Sequence, residues 1–372
     1  MNENTEWEAT TDAKAAAALM MKGVELCEKP LHLTIGDCDL VIHSNSQLLL
    51  DRLSKYFNHL SKKPAVSTIE VTAIESEILD TDLPFIDWRR EPGKSGRKDA
   101  YLELADGRLV LKVRTGMLFL QSEQWRVAVG PCVEYDNQLI NFINSQVMNW
   151  LQQRDWLICH AAGLILNGHA IAVAGFSGGG KSTLMLHLME HPQSRYLTND
   201  RLFLRREGVK VEAVGIPKLP RINPGTVVNN PRLSSLIDEE RREQLLQLPK
   251  QELWDLEEKF DVDVQQFYGR DRIDTSSSVP LSGLVILNWS KKDSSPVNMT
   301  KVDITQRNEL LTAVMKSPGP FYQDKLGVFL QDDDPLQEAG YQQLLKSVSV
   351  YEVTGRMDFA ELTELCLKQW CN

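Results

Sequence analysis

The octapeptide Gly175-Phe176-Ser177-Gly178-Gly179-Gly180-Lys181-Ser182 satisfies G-x-x-x-x-G-K-[ST] at every position. Glycines let successive peptide N–H groups turn inward and form a nest for phosphate oxygens. A helix that starts directly afterwards adds its positive N-terminal end. In such a loop Lys181 reaches the β- and γ-phosphates, and the Ser182 hydroxyl is placed for Mg2+, so residues 175–183, Thr183 included, form the expected ATP-binding stretch. A glycine-rich turn that merely happens to precede Lys-Ser is the competing reading; a strand before and a helix after weigh against it.

Two more residues could act on a bound phosphate. Asp200 closes "SRYLTND", at the end of a short strand just beyond the loop's helix. A carboxylate there could hold Mg2+ through water, or take the proton from an attacking hydroxyl. It reads equally well as a turn-starting Asp, or as a partner of Arg201 or Arg205. His160 begins the strand pair that feeds the loop. A lone His in apolar surroundings is more often a satisfied core residue, but its place beside the loop strand favours a functional reading.

Other phosphate-loop classes fit poorly. A GTPase needs D-x-x-G after the loop and then N-K-x-D; "NWSKKD" (288–293) has its lysine misplaced, and no D-x-x-G precedes it. "PLSGLV" is not the L-S-G-G-Q signature of an ABC-type ATPase.

The elements that must hold these residues are legible as patterns. Asn167-Gly168 between two apolar runs predicts a hairpin, because a type I′ turn needs positive φ at both central positions. Its second strand, 169–174, runs into the loop, and "STLMLHLMEH" has the spacing of a buried helix. Further on, Glu207-Gly208 reads as a turn between strands, 234–248 and 311–317 as helices, and "LSGLVILNW" and "VSVYEVTG" as buried strands. A helix near the C-terminus closes the fold, and "QDDDP" (331–335) reads as a solvated charged loop rather than a metal site.

Ahead of this lies a polar tail and alanine-rich helix (1–30), then an α+β module (31–150). The module has a hairpin at Gly36-Asp37, a helix at 46–60 with Leu48, Leu49, Leu53, Tyr56 and Phe57 on one face, a second hairpin at Asp106-Gly107, and a helix at 137–156. Residues 151–372 form the phosphate-loop domain. The expected class is α/β: a P-loop core of mixed β-sheet with helices, plus the N-terminal α+β module.

A formal net charge of −10 argues against a protein that grips nucleic acid by neutralising its phosphates. The six cysteines show neither C-x-x-C pairs nor zinc spacing, which suits reduced structural thiols. The acidic start lacks the pattern of a signal peptide, and no segment reaches the length of a membrane span. A cytoplasmic protein without membrane contact is expected.

The order His160-Ala-Ala-Gly, hairpin, G-x-x-x-x-G-K-S, then a strand ending Asn-Asp resembles the HPr kinase/phosphorylase family, whose core is related to PEP carboxykinase. Segments 93–117 and 215–233 most resemble the HprK-related kinase B subfamily, so the resemblance spans most of the chain. It implies an ATP- and Mg2+-dependent kinase acting on a hydroxyl, with a serine of a partner protein as acceptor and the N-terminal module as the recognition part. It also implies a homo-oligomer. By position, Lys181 and Ser182 match the phosphate and metal contacts, Asp200 the second Asp of the family's pair, and His160 its active-site His. Lys218 and Arg221, in "PKLPRINPG", fall near the family's basic segment and could contact the phosphoryl group or the acceptor, or be exposed loop residues without a role.

The chain departs from the family where acidic residues are expected, carrying Phe176, Thr183 and Asn199 instead. That argues against the reverse phosphorylase activity, while kinase chemistry needs fewer carboxylates. A small-molecule hydroxyl kinase and a catalytically weak nucleotide-binding regulator are the alternative readings.

Overall fold

The computed structural model describes residues 7, 9–60, 69–90, 96–176, 178–249, 252–253, 256, 258–275 and 278–371. It divides into two compact units: unit 1 takes the chain up to Asp155 together with Ser317–Pro335, and unit 2 takes Trp156–Lys316 and Leu336–Asn372.

In unit 1, α1 (Ala13–Met20) precedes β1 (Leu31–Ile35), β2 (Cys38–Ser44), α2 (Gln47–Tyr56), β3 (Ile69–Glu75), β4 (Ile86–Asp87), β5 (Asp99–Glu103), β6 (Gly107–Lys112), β7 (Leu118–Ser122), β8 (Arg126–Gly130) and α3 (Asp136–Gln152). The strands form one eight-stranded sheet, ordered β1-β2-β3-β8-β7-β6-β5-β4. The β2–β3 and β3–β8 pairs are parallel and the others antiparallel.

The alanine run has a structural purpose. Ala13, Ala16, Ala17 and Met20 of α1 are buried with Leu109, Leu118, Leu120, Val127 and Val129 of the sheet. Gly107 was expected in the turn after β5; it lies instead within β6, and residues 104–106 make the connection. A Cβ on Gly107 would sit 3.0 Å from the Ala13 Cβ and 3.1 Å from the Gln121 carbonyl, so this glycine serves the close approach of α1. In α2, Leu49 and Leu53 are buried as expected, but Leu48 is 55% exposed and Leu50 takes its place.

The domain limits differ from those read in the sequence. The division falls at 155/156 rather than 150/151, and residues 317–335 belong with unit 1. Aromatic and ionic contacts explain the second point. Phe321 packs 5.6 Å from Phe119 and 5.0 Å from Phe142. Arg108, fully buried, donates to the carbonyls of Pro320 and Leu330 at 3.0 and 2.9 Å and pairs with Glu103. The alanine-rich helix expected within 1–30 is no separate element either, since α1 is part of this core.

Unit 2 contains β9 (Leu157–Cys159), β10 (Ala161–Leu166), β11 (His169–Gly175), α4 (Lys181–Leu188), β12 (Arg195–Thr198), β13 (Leu202–Glu207) and β14 (Lys210–Gly215). These are followed by β15 (Arg221–Ile222), α5 (Pro224–Val228), α6 (Glu239–Leu246), β16 (Phe260–Asp261), α7 (Val264–Tyr268), β17 (Val279–Leu287), β18 (Asn298–Val302), α8 (Glu338–Leu345), β19 (Val350–Thr354) and α9 (Phe359–Trp370). Its main sheet has nine strands, with β11, β17 and β19 parallel neighbours in the middle and antiparallel strands on either side. The β10–β11 turn has Asn167 at φ 48° and Gly168 at φ 75°, the left-handed pair its sequence demands.

Two expectations shift. The β13–β14 turn is Gly208-Val209, one residue later than read. The helix expected at 311–317 is a 3₁₀ turn, Asn308–Ala313, after which the chain straightens and Met315 bridges to Cys159 of β9. All six cysteines are free thiols. No helix among the described residues is long and apolar enough to cross a membrane.

Candidate functional site

β11 lies in the middle of the unit 2 sheet, paired in parallel with β17, and its C-terminal end delivers the chain into the glycine loop. Gly175 is needed for closeness: a Cβ there would meet the Leu287 Cβ at 2.9 Å. Gly178 and Gly180 adopt φ of 74° and 89°, a region that favours glycine. A tight turn closes from the Gly179 N–H to the Phe176 carbonyl at 2.9 Å, and the Trp289 indole N–H pins the Gly179 carbonyl at the same distance. Phe359, at the start of α9, covers Gly180 so closely that a Cβ would lie 2.5 Å from its ring.

Helix α4 then begins with Gly180 as its N-cap and no side chain capping it, and its first backbone bond is Leu184 N–H to the Gly180 carbonyl. The N–H groups of the first turn therefore have no partner within the helix, as at every helix N-terminus, and here they follow a left-handed glycine bend. Such an arrangement suits an anion. The Lys181 ammonium reaches back over the loop to the Gly175 carbonyl at 3.1 Å. The Ser182 hydroxyl makes no hydrogen bond among the described residues. The Thr183 side chain, by contrast, is buried and shares a 2.8 Å hydrogen bond with Thr226 of α5, so it anchors the helix. Phe176 is partly exposed at the loop's tip, and Ser177 lies outside the described residues.

Asp200 follows β12 in a turn that Thr198 organises. The Thr198 hydroxyl donates to the Ile216 carbonyl at 2.7 Å and accepts from the Arg201 N–H at 3.3 Å. The Asp200 side chain keeps 37% of its exposure and has Arg201 Nε at 3.9 Å and Lys316 Nζ at 4.0 Å. Burial alone would raise its carboxyl pKa, but Lys316, Arg201, Lys218 and His160 outweigh that and hold it below the usual carboxylate range. Asp200 is thus ionised at neutral pH. Beside it, Asn199 Oδ1 is buried with no hydrogen-bond partner among the described residues.

Two lysines at the site are depressed in turn. Burial, then the repulsion of Lys316, brings the Lys181 ammonium down to about 8 despite Asp200. Burial, then Arg201, does the same to Lys218, again to about 8. Lys218 is held by its backbone, whose carbonyl accepts from the Tyr196 hydroxyl. Arg221 lies further along the same segment and pairs with Asp261 at 3.2 Å. The half-buried His160 donates its backbone N–H to the Val314 carbonyl at 2.7 Å, and its charge is one of those that favour an ionised Asp200.

Lys181, Asp200, His160 and Lys218 therefore act on one another within unit 2, whereas Thr183 is turned into the core and Arg221 is occupied by Asp261. Sequence reading missed Lys316 and Trp289. Lys316 sat in a stretch read as helix. What places it is the extended run along β9: the Tyr341 hydroxyl donates to the Ile158 carbonyl and accepts from the Lys316 N–H. No local pattern signals a lysine brought in from so far along the chain. Trp289 was absorbed into a strand reading, although a tryptophan just past the strand adjoining the loop could have been noticed.

A phosphate chain suits the uncapped first turn and the surrounding cations. A divalent ion that keeps most of its waters needs only one or two protein oxygens. Ser182 and Asp200 are oxygen donors of that kind, although no cluster of three or more His, Cys, Asp or Glu side chains exists among the described residues.

No family model and no curated protein matches the sequence. Among solved structures, the chain is similar to the Hpr(Ser) kinase/phosphatase from Coxiella burnetii at 12% identity, over 56% of this chain and 92% of that one, with a TM-score of 0.28. At that TM-score the likeness fixes neither fold nor function.

Proposed function

We propose that this chain is an ATP-dependent kinase that transfers the γ-phosphoryl group to a hydroxyl, with a serine of a partner protein as the acceptor. The observation that supports this best is the meeting of an uncapped, glycine-led helix start with Lys181, Lys218, Lys316 and an ionised Asp200. Phosphoryl transfer depends mainly on alignment and on neutralising charge, which such a set can supply.

Mg2+, when bound, would supply neutralisation of the phosphate charge. On the protein side, the first-turn amides of α4 and Lys181 would hold the phosphates, and Ser182 and Asp200 would hold the metal. Lys218 and Lys316 stand ready for the charge of the transferring group. Asp200 orients the acceptor hydroxyl and takes its proton late; a carboxylate with a depressed pKa is a weak base, and a loose transition state asks little of it. His160 steadies Asp200 in its charged form. The protein acceptor, recognition by unit 1, self-association and a cytoplasmic setting rest on the motif resemblance.

The test is incubation of the purified protein with γ-labelled ATP, Mg2+, and the protein and metabolite fractions of its source cell. Label is expected on serine in the protein fraction, and Asp200→Asn should cut transfer by about a hundred-fold or more while ATP still binds. Label only in the metabolite fraction would move the acceptor to a small molecule. ATP binding without transfer would leave a regulator, and no binding at all would end the reading.

A further inference from the structure

A recess of about 190 Å³ in unit 1 is lined from β7, α3 and the Ser317–Pro335 segment. Five of its side chains are carboxamides: Gln121, Gln146, Asn149, Gln153 and Gln323. Four of these, all but Gln153, are only 1–6% exposed, a rare setting for such groups.

Their hydrogen bonds follow one pattern. Asn149 Nδ2 donates to the Phe321 carbonyl at 2.7 Å, Gln153 Nε2 to the Gln323 carbonyl at 2.9 Å, and Gln323 Nε2 to the Gly327 carbonyl at 3.0 Å. Gln146 Nε2 donates to the Gln121 oxygen at 2.8 Å and to the Phe142 carbonyl at 3.3 Å. A backbone carbonyl can only accept, so it fixes which end of each amide faces it. The oxygens of Gln146, Asn149, Gln153 and Gln323 accept nothing among the described residues, and none of them is sealed from solvent. The recess is thus furnished with amide oxygens held in place by their own N–H donation to neighbouring carbonyls.

Charge narrows the occupant. Glu123 and Asp324 are balanced by Arg126 and Lys325 around the same recess, so no net charge awaits a counter-ion. Asp324 is committed to its own loop, accepting from the Leu326 and Val328 N–H groups at 2.8 and 2.9 Å. Trp150 contributes an apolar wall.

We propose that this recess binds a neutral polyhydroxylated small molecule, of the sugar or polyol class. Hydroxyls donate to the waiting amide oxygens, and a C–H face rests on the indole. A phosphorylated or anionic ligand would set its own acceptors against four amide oxygens, with Arg126 and Lys325 already balanced by Glu123 and Asp324. A recess this size needs several such hydroxyls, since its volume is well over ten times the minimum for one water. The proposal does not depend on the kinase reading, which concerns unit 2.

The test uses the full-length protein with D-glucose, myo-inositol and glycerol as probes, followed by saturation-transfer NMR and by the indole N–H signals of its eight tryptophans. Saturation should reach the C–H protons of at least one probe, and the Trp150 signal should move with saturable dependence while that of Trp289 stays still. Gln153→Ala, at the less buried edge, should weaken that probe about ten-fold, as expected for one or two lost hydrogen bonds, without changing the melting temperature. No transfer to any probe, uniform movement of all the indoles, or unchanged affinity in Gln153→Ala would overturn the proposal and leave a water-filled recess. If Gln153→Ala fails to fold, the Trp150 titration of the unaltered protein decides alone.

Discussion

Lys181 and Lys218 hold ammonium groups pushed down to about 8, first by burial and then by Lys316 and Arg201 respectively. Binding a polyphosphate demands their charged forms. Affinity for an ATP analogue should therefore fall as pH rises through about 8, and calorimetry in buffers of different ionisation enthalpy should record proton uptake there. The same shift acts oppositely on folding. Between about 8 and the ordinary lysine range the unfolded chain binds more protons than the native one, so these two groups make stability rise with pH in that window. Lys316 belongs to the same balance. Lys316→Ala should lower the transfer rate by about a hundred-fold, the scale seen when a transition-state donor is lost. It should also move the acidic limb of the pH–rate profile upward, because Asp200 loses the cation that does most to lower its pKa. A change in rate with no movement of that limb would separate Lys316 from Asp200.

Around the loop, elements matter more than side-chain identity. Gly178 and Gly180 share a left-handed backbone, but only Gly180 lies beneath Phe359. Gly180→Ala combines strain and collision and should cost about 2–4 kcal/mol. Gly178→Ala meets open space and should cost about 1–2 kcal/mol. Urea titration of the two variants checks the difference. This distinction was invisible in the sequence, where the glycines look alike, because it depends on α9 folding over the loop. The hairpin, the loop and α4 were legible, since each is specified by residues within reach of one another: Asn167-Gly168 for the turn, the glycines for the bend, apolar spacing for the helix. The β5–β6 turn was misplaced for the converse reason, as Gly107 answers to Ala13, far away in sequence. The stretch after Ala313 carries helical spacing, but pairing with β9 holds it straight.

On the scale of the whole chain, the boundary of unit 1 was the least legible feature, because it is drawn by Arg108 and Phe119 reaching Pro320, Phe321 and Leu330. Nothing near residue 108 in sequence announces those partners. A fragment ending at Asp155 is expected to leave Arg108 buried without its two carbonyl acceptors and Phe119 and Phe142 without Phe321. Its near-ultraviolet circular dichroism should be weak and its hydrogen exchange fast, and native spectra from that fragment would refute the account. The discontinuity also bears on biosynthesis. A ribosome translating this message must finish Trp156–Lys316 before it makes the residues that complete the earlier unit. The first unit to start thus waits through most of the second before its last contacts arrive, and in the interval Phe119 and Phe142 lack Phe321 and are open to chaperones.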